Sequence, residues 1–394
     1  MKFQEVTIDK VVSKCTNWNP IRNGDDTFAY IDLSSVDNHY KSIVSVERYL
    51  CIEAPSRARQ LVKAGDVLIA TVRPNLNCVA LVDHQHDGMT ASTGFCVLRP
   101  KRELLDSAFL FHWVKTKIFV QRMVDLATGA NYPAVSDSKV KSSTIPLPPL
   151  PEQKRIAAIL DVADAMRAKR RESLAQLDAL IQSTFLDMFG DPVSNPKDWT
   201  VVSMESVVGG SFRNGLSAST LGTIEGKVLT LSAITSGRFD GSFWKSVKFD
   251  RQPSDNQMLS SDTFLICRGN GNKAMVGIGV FPTGNNDTIS FPDTMIASTP
   301  DQRQILPAFL QHVWASALVR SQILTGARTT NGTFKVNQKV LSGIKFPNPP
   351  LDLQRRFATI VEAVEKQKDR LRAHLAELDT LFASLQHRAF NGEL

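Results

Sequence analysis

The chain has 394 residues, more than one ordinary hydrophobic core accommodates, so at least two domains are expected. Hydrophobic residues make up 42% of it, the mean hydropathy is -0.12, and no apolar run reaches the roughly 18 residues of a membrane span, which fits a globular protein. A net charge of +7 favours an anionic partner, and five scattered cysteines without a C-x-x-C pair argue against a disulfide framework.

The opening MKFQEVTIDK lacks the basic-then-apolar layout of a secretory leader, so a cytoplasmic location is expected. Short β-branched runs follow, DVLIATV from Asp66 and FCVLRP from Phe95, each bounded by turn formers. They predict small strands with irregular connections. Between them, His84 and His86 lie in DHQHDG; no Cys or His nearby has metal-site spacing, so solvated turn residues are expected. AFLFHWVKTKIFVQRMV, Ala108 to Val124, predicts one amphipathic helix that closes the core.

A Gly- and Asn-rich loop, LATGANYPAVS from Leu126, then leads into PLPPLPEQKRIAAILD. From Glu152 to Phe189 there is no Pro or Gly, and apolar residues from Ile156 to Met188 recur at steps of three and four. This predicts a single helix roughly 55 to 60 Å long, too long to lie within one small domain. It needs a second helix to cover its apolar stripe.

The second half supplies one. Shifted by about 200 residues, Pro148, Pro149 and Leu150 align with Pro349, Pro350 and Leu351, Gln153 with Gln354, and LAQLDALIQS from Leu174 with LAELDTLFAS from Leu375. The match is ungapped, which identifies a tandem duplication. Looser repeats precede it. VTIDKVV at Val6 answers to VVSMESVV at Val201, KAGDVLIATVRPN at Lys63 to LSSDTFLICRGNG at Leu259, and the core helix to AFLQHVWASALVRSQIL at Ala308, which Pro307 introduces. The expected fold is α+β: two tandem α/β domains, each followed by a long helix, the two helices pairing through a two-fold contact as an antiparallel coiled coil. Both apolar stripes weaken in the middle, at RAKRRES from Arg167 and EKQKDR from Glu365.

Two basic, loop-rich heads on a shared rod suit the reading of two short sequences on one duplex. Direct readout needs forked or paired polar groups, Arg for guanine and Asn or Gln for adenine, with Lys, Ser and Thr holding phosphate. The first head offers Arg73, Asn75 and Asn77 in TVRPNLN, Thr90, Ser92 and Thr93 in TASTGF, and Asn131 and Tyr132 in GANYP. Its counterpart offers Arg268, Asn270, Asn272 and Lys273 in CRGNGNK, and Arg328, Thr329, Thr330, Asn331 and Lys335 in GARTTNGTFK. The plain alternative is that these loop residues only face water. At the level of the whole chain, the alternative is a coiled-coil scaffold whose heads bind proteins rather than DNA.

NPPL at Asn348 resembles the Asn-Pro-Pro-aromatic motif of amino-methylating DNA methyltransferases, but Leu351 replaces the aromatic and the site lies in the repeated helix entrance, so a structural role is expected. GIGVFPTG from Gly277 has the wrong spacing for a dinucleotide loop, and the sequence contains no Walker lysine loop, G-x-S-x-G or H-E-x-x-H.

These features together closely resemble the specificity (S) subunits of type I restriction-modification systems, over essentially the whole chain. The resemblance rests on PLPPLPEQKRIAAILD, on FGDPVSNPKDW from Phe189 and on RAFNGEL from Arg388. It implies target recognition domains at residues 1–145 and 191–345, with a proline entrance and conserved long helix at 146–190 and at 346–394. It implies a non-enzymatic subunit that recognises a bipartite sequence in double-stranded DNA and scaffolds two methyltransferase (modification) subunits, which motor-nuclease (restriction) subunits can join. No cofactor or metal is expected in this chain; S-adenosylmethionine would be held by the adenine-methylating subunits. LDLQ from Leu351 departs from the first copy's PEQ, so the two ends need not dock identically.

Overall fold

In a computed structural model of the protein, residues 3–129, 131–210, 212–330 and 332–394 are described. The chain forms two compact units, one made of Met1–Ser173 with Leu371–Leu394 and the other of Leu174–Arg370. Each unit therefore combines one globular segment with one half of each long helix.

In the first unit, strands Val79–Leu81, Val67–Ala70, Phe95–Pro100 and Val12–Ser13 lie side by side in that order, every pair antiparallel. A second sheet runs Thr16–Asn17, Ala58–Leu61, Thr90–Ser92, Thr27–Ile31, Glu47–Leu50, with one parallel pairing between Thr90–Ser92 and Thr27–Ile31. The other unit repeats the plan. Phe264–Cys267 lies between Met295–Ser298 and Gly279–Val280, and Ile224–Leu229 pairs parallel with Asn286–Ser290. Val67–Ala70 and Phe264–Cys267 are buried along their whole length, which explains why each reads as a continuous apolar run rather than an alternating one.

The predicted core helix is two helices in each unit. Ser107–Val114 stops and Lys117–Leu126 begins at Thr116, whose hydroxyl donates to the Trp113 carbonyl at 2.7 Å and accepts from the Phe119 amide at 3.2 Å. Ser316 interrupts the second copy in the same way, between Pro307–Trp314 and Ala317–Gly326. A short hydroxyl side chain that captures an amide one turn ahead starts a new helix, and the apolar period across the break conceals it. His86 is a second correction: it is buried, not solvated, and its Nδ1 lies 2.6 Å from Oδ1 of Asp83, the residue that caps the His84–His86 turn.

The long helices run Leu150–Phe189 and Leu351–Asn391, slightly beyond their expected bounds. Inside the first unit, Arg155 donates to the Leu394 carbonyl and Arg167 Nε to Asp379 Oδ1 at 2.6 Å, so one helix ascends as the other descends. Inside the second unit, Lys368 pairs with Asp178, and Phe357 packs on Phe185 and Phe189, again antiparallel. Arg167 and Lys368 are equivalent positions of the duplication, as are Asp178 and Asp379, so the same ion pair is made once in each unit. The cations of these pairs occupy the weak middle of both stripes. Lys368 is only 5% exposed and lies beside both Asp178 and Glu365, which keeps its buried ammonium compensated.

The repeated proline entrance also has a physical explanation. Gln153 is buried; its Oε1 accepts from the Asp106 amide at 2.8 Å, and its Nε2 donates to the Leu104 and Pro148 carbonyls at 2.9 and 2.8 Å. Gln354 does the same for the Leu306 amide and the Pro349 carbonyl, and also donates to Asn348 Oδ1. Each glutamine ties the start of a long helix to the start of the globular helix beside it. Asn348 of NPPL is thus a structural residue, and its Nδ2 reaches the Gln304 carbonyl. FGDPVSNPKDW closes the first long helix: Gly190 takes φ +80°, Lys197 donates to the Asp187 and Met188 carbonyls, and Trp199 Nε1 donates to the Phe189 carbonyl at 2.8 Å. A Cβ on Gly190 would lie 2.6 Å from Pro196 Cγ, so the motif requires glycine there.

His312 is half-buried between Phe185 and Phe357, with its Nδ1 2.7 Å from the Ala308 carbonyl, and desolvation by its neighbours pushes its imidazole below the usual histidine range. The folded ring is therefore neutral where the unfolded ring starts to protonate. Its stabilising contribution is present above the unfolded value and is lost as pH falls through the folded one. The melting temperature is expected to drop between about pH 7.5 and about pH 5.5, and to drop less in His312→Gln. Equal drops by calorimetry would show that this ring does not contribute.

Candidate nucleic-acid interface

Two separate stretches of each globular segment, both rich in Arg and Asn, come together in space. In the first unit Ala134 bridges Val72 and Thr128, the Arg73 amide donates to the Pro133 carbonyl at 2.7 Å, and the Val135 amide donates to Thr71. TVRPNLN and GANYP are thereby one surface. Arg73 sits in the left-handed region at φ 51°, which turns its guanidinium over the exposed Tyr132 ring, 5.1 Å from the centroid. Gly129 has φ +105°, and a Cβ there would meet the Tyr132 carbonyl at 2.9 Å, so the loop can close this tightly only with glycine. Asn75 and Asn131 are exposed on this surface, and half-buried Asn77 is left-handed at φ 47°.

The second unit builds the same juxtaposition as a small antiparallel sheet, in the order Gly269–Asn270, Thr333–Lys335, Arg328–Thr330. Lys335 lies opposite Gly269 on one side and Arg328 on the other. Arg328, Thr329, Lys335 and Lys273 are exposed. Thr330 contributes its backbone to the outer strand, and Asn331 lies outside the described residues.

Several candidates change role. Thr90 and Ser92 are 1% and 0% exposed; Thr90 accepts from Trp18 Nε1 at 2.9 Å, and Ser92 Oγ accepts from the Gly94 amide. They belong to the inner strand Thr90–Ser92 and cannot reach a ligand, while Thr93 just beyond it is exposed. Polar residues on a buried strand look like loop residues when read one letter at a time. Arg268 is half-buried and donates Nη1 to the Asp293 carbonyl at 3.1 Å. Asn270 and Asn272 use their carboxamide oxygens on the Asn272 and Ala274 amides, so neither presents the paired donor and acceptor that adenine readout needs.

The hairpin Ile224–Leu229 with Trp244–Phe249 was not legible as a candidate. Its register sets Lys227 and Lys248 on the same exposed face as Trp244, with Lys227 Nζ 4.6 Å from the indole centroid. The two lysines of WKSVKF, Lys245 and Lys248, were the available signal; they also suit an edge strand that must not pair with another chain. Among the described residues, no cluster of acidic, His or Cys side chains is arranged to hold a metal ion, and no helix is long and apolar enough to cross a membrane.

Residues 56–177 match the family described as the type I restriction modification DNA specificity domain. The EcoKI type I restriction enzyme specificity subunit of Escherichia coli K12 is 25% identical over 358 residues, covering 85% of this chain and 76% of that protein. A solved chain from a study of complex assembly and conformational transition in the type I R-M system superposes with a TM-score of 0.57 at 25% identity, covering 100% of this chain and 98% of that one. The S subunit from M. genitalium shares the fold, at 16% identity and a TM-score of 0.54, with 99% and 96% of the two chains covered. With the duplicated sheets, the antiparallel helix halves and the glutamine-clipped proline entrances, these likenesses show that the chain resembles the specificity subunits of type I restriction-modification systems over most of its length.

Proposed function

We propose that this chain is the sequence-reading subunit of a type I restriction-modification complex: each globular segment reads one half of a bipartite DNA target, and the long helices carry the methyltransferase subunits. The observation that carries this reading is the matching juxtaposition in the two units, Arg73 with Asn75 and Asn131 in one, Arg328 with Lys335 in the other. Forked donors on exposed backbone turns suit base edges, and neighbouring lysines suit phosphate. Two methyltransferase subunits, one for each copy of the proline entrance, would bind S-adenosylmethionine and methylate adenine. This chain would supply recognition and no catalysis, with motor-nuclease subunits as further partners.

The test is the host methylome. Replacing residues 191–345 by the corresponding segment of a relative is expected to change one half of the methylated sequence and leave the other half intact. An unchanged methylation pattern would refute DNA reading and favour heads that bind proteins. A finer version uses Arg328→Ala, which should relax the preferred base at one position and weaken binding there by about 1 to 3 kcal/mol, measured by competition between duplexes.

A further inference from the structure

The loop that carries Asn75 and Asn77 forms one wall of a cavity of about 350 Å³, whose other wall is the pair of long-helix halves in the same unit. Four cationic side chains line it: Lys41, Lys115, Arg167 and Arg171. Two carboxylates face them. Asp164 takes Lys115 at 2.8 Å and Arg167 at 2.7 Å, and Asp379 takes Arg167 at 2.6 Å and Arg171 at 3.3 Å. Four positive charges against two negative ones leave an excess of two.

That excess is carried by Lys41 and Arg171, the two cations least engaged by carboxylates. Lys41 Nζ is held by neutral acceptors, the Asn38 side chain and the Leu76 and Asn77 carbonyls, and among the described residues no carboxylate lies within ion-pair distance of it. Among the described residues Arg171 makes a single long contact, to Asp379, although a guanidinium carries five N–H donors. Burial pushes the Lys41 amine below the usual lysine range, and the nearby Lys115 ammonium adds to the effect. Asp164 is held below the usual carboxylate range by Lys115 and Arg167 despite its own burial, so it stays charged and is already matched. A polar cavity with surplus fixed cations calls for an anion with several acceptor oxygens.

We propose that this cavity seats a backbone phosphate of the bound DNA, with Lys41 and Arg171 as its ligands, locking the Arg73–Asn77 loop in register beside the base edges. The inference rests on the DNA-reading function argued above. Lys41 links the two events, because it grips the carbonyls at the end of that loop while facing the cavity. Phosphate contacts position a protein and carry no sequence information, so this site contributes affinity equally on every sequence. A free nucleotide offers the same chemistry; the DNA source is preferred because the cavity wall is the reading loop itself.

The test uses the full chain and fluorescently labelled duplexes titrated across a range of KCl. Arg171→Gln and Lys41→Gln are each expected to make the slope of log Kobs against log[KCl] shallower by about 0.9, with matched losses on cognate and unrelated duplexes. Arg171→Lys, which keeps the charge, should retain the wild-type slope. Lys41 lies on a loop, so Lys41→Gln keeps the test open if Arg171→Gln melts early by circular dichroism. Wild-type slopes in both folded variants would overturn the assignment. So would calorimetric binding of ATP by the wild type that Arg171→Gln abolishes while the DNA slope is unchanged, since that identifies a free phosphate compound as the occupant. A wild-type chain that binds no duplex at all would instead sink the DNA-reading function itself.

Discussion

Phe357→Ala is expected to lower the stability of the second unit by about 3 to 5 kcal/mol, the range for truncating a fully buried aromatic. Phe357 is 0% exposed and stands edge-on to Phe185 and Phe189 at 5.6 and 5.3 Å, and to His312 at 5.1 Å. The side chains come from three segments far apart in sequence, so the cavity cannot be filled by a local adjustment. Phe189 also packs on Phe309 at 4.9 Å, which links the cluster to the globular helix Pro307–Trp314. Hydrogen exchange of the Phe264–Cys267 amides reads the opening of this unit directly. Protection unchanged to within about 1 kcal/mol would mean that the aromatic cluster does not organise the unit.

Gln153→Leu is the second large effect, expected to cost about 3 kcal/mol or more, because it removes three short hydrogen bonds and leaves the Asp106 amide and the Leu104 and Pro148 carbonyls without that partner. Leucine matches glutamine in size, so the loss comes from unsatisfied polar groups rather than volume. Gln153→Glu separates the two effects: it keeps the acceptor and removes both donors, and it should also destabilise. Circular dichroism melting of the full chain provides the measurement. A Gln153→Leu variant that melts with the wild type would reduce the clip to a passenger of the Pro-Pro-Leu turn.

Much of this molecule was legible one residue at a time. Ile156 to Met188 and Phe357 to Leu385 repeat at helical spacing without Pro or Gly, so the two long helices followed from periodicity alone. The helix breaks at Thr116 and Ser316 did not, because apolar spacing continues across a residue whose side chain has captured the next turn's amide. The readout candidates divide in the same way. Arg73, Asn75, Asn131, Tyr132, Arg328 and Lys335 are exposed on the paired loops, where turn-forming neighbours advertise them. Thr90 and Ser92 misled, since short hydroxyl residues are equally at home in a turn and on a buried strand with local partners.

The sequence by itself determined the duplication, the helix lengths, the basic balance and the family resemblance, because these depend on periodicity, composition and local motif. Only the tertiary structure decided which distant loops share a surface, which glutamine bonds clip helix to head, and where four cations gather around two carboxylates. Those facts depend on hydrogen-bond geometry and burial between segments separated by tens to hundreds of residues, and no local pattern in the chain encodes them.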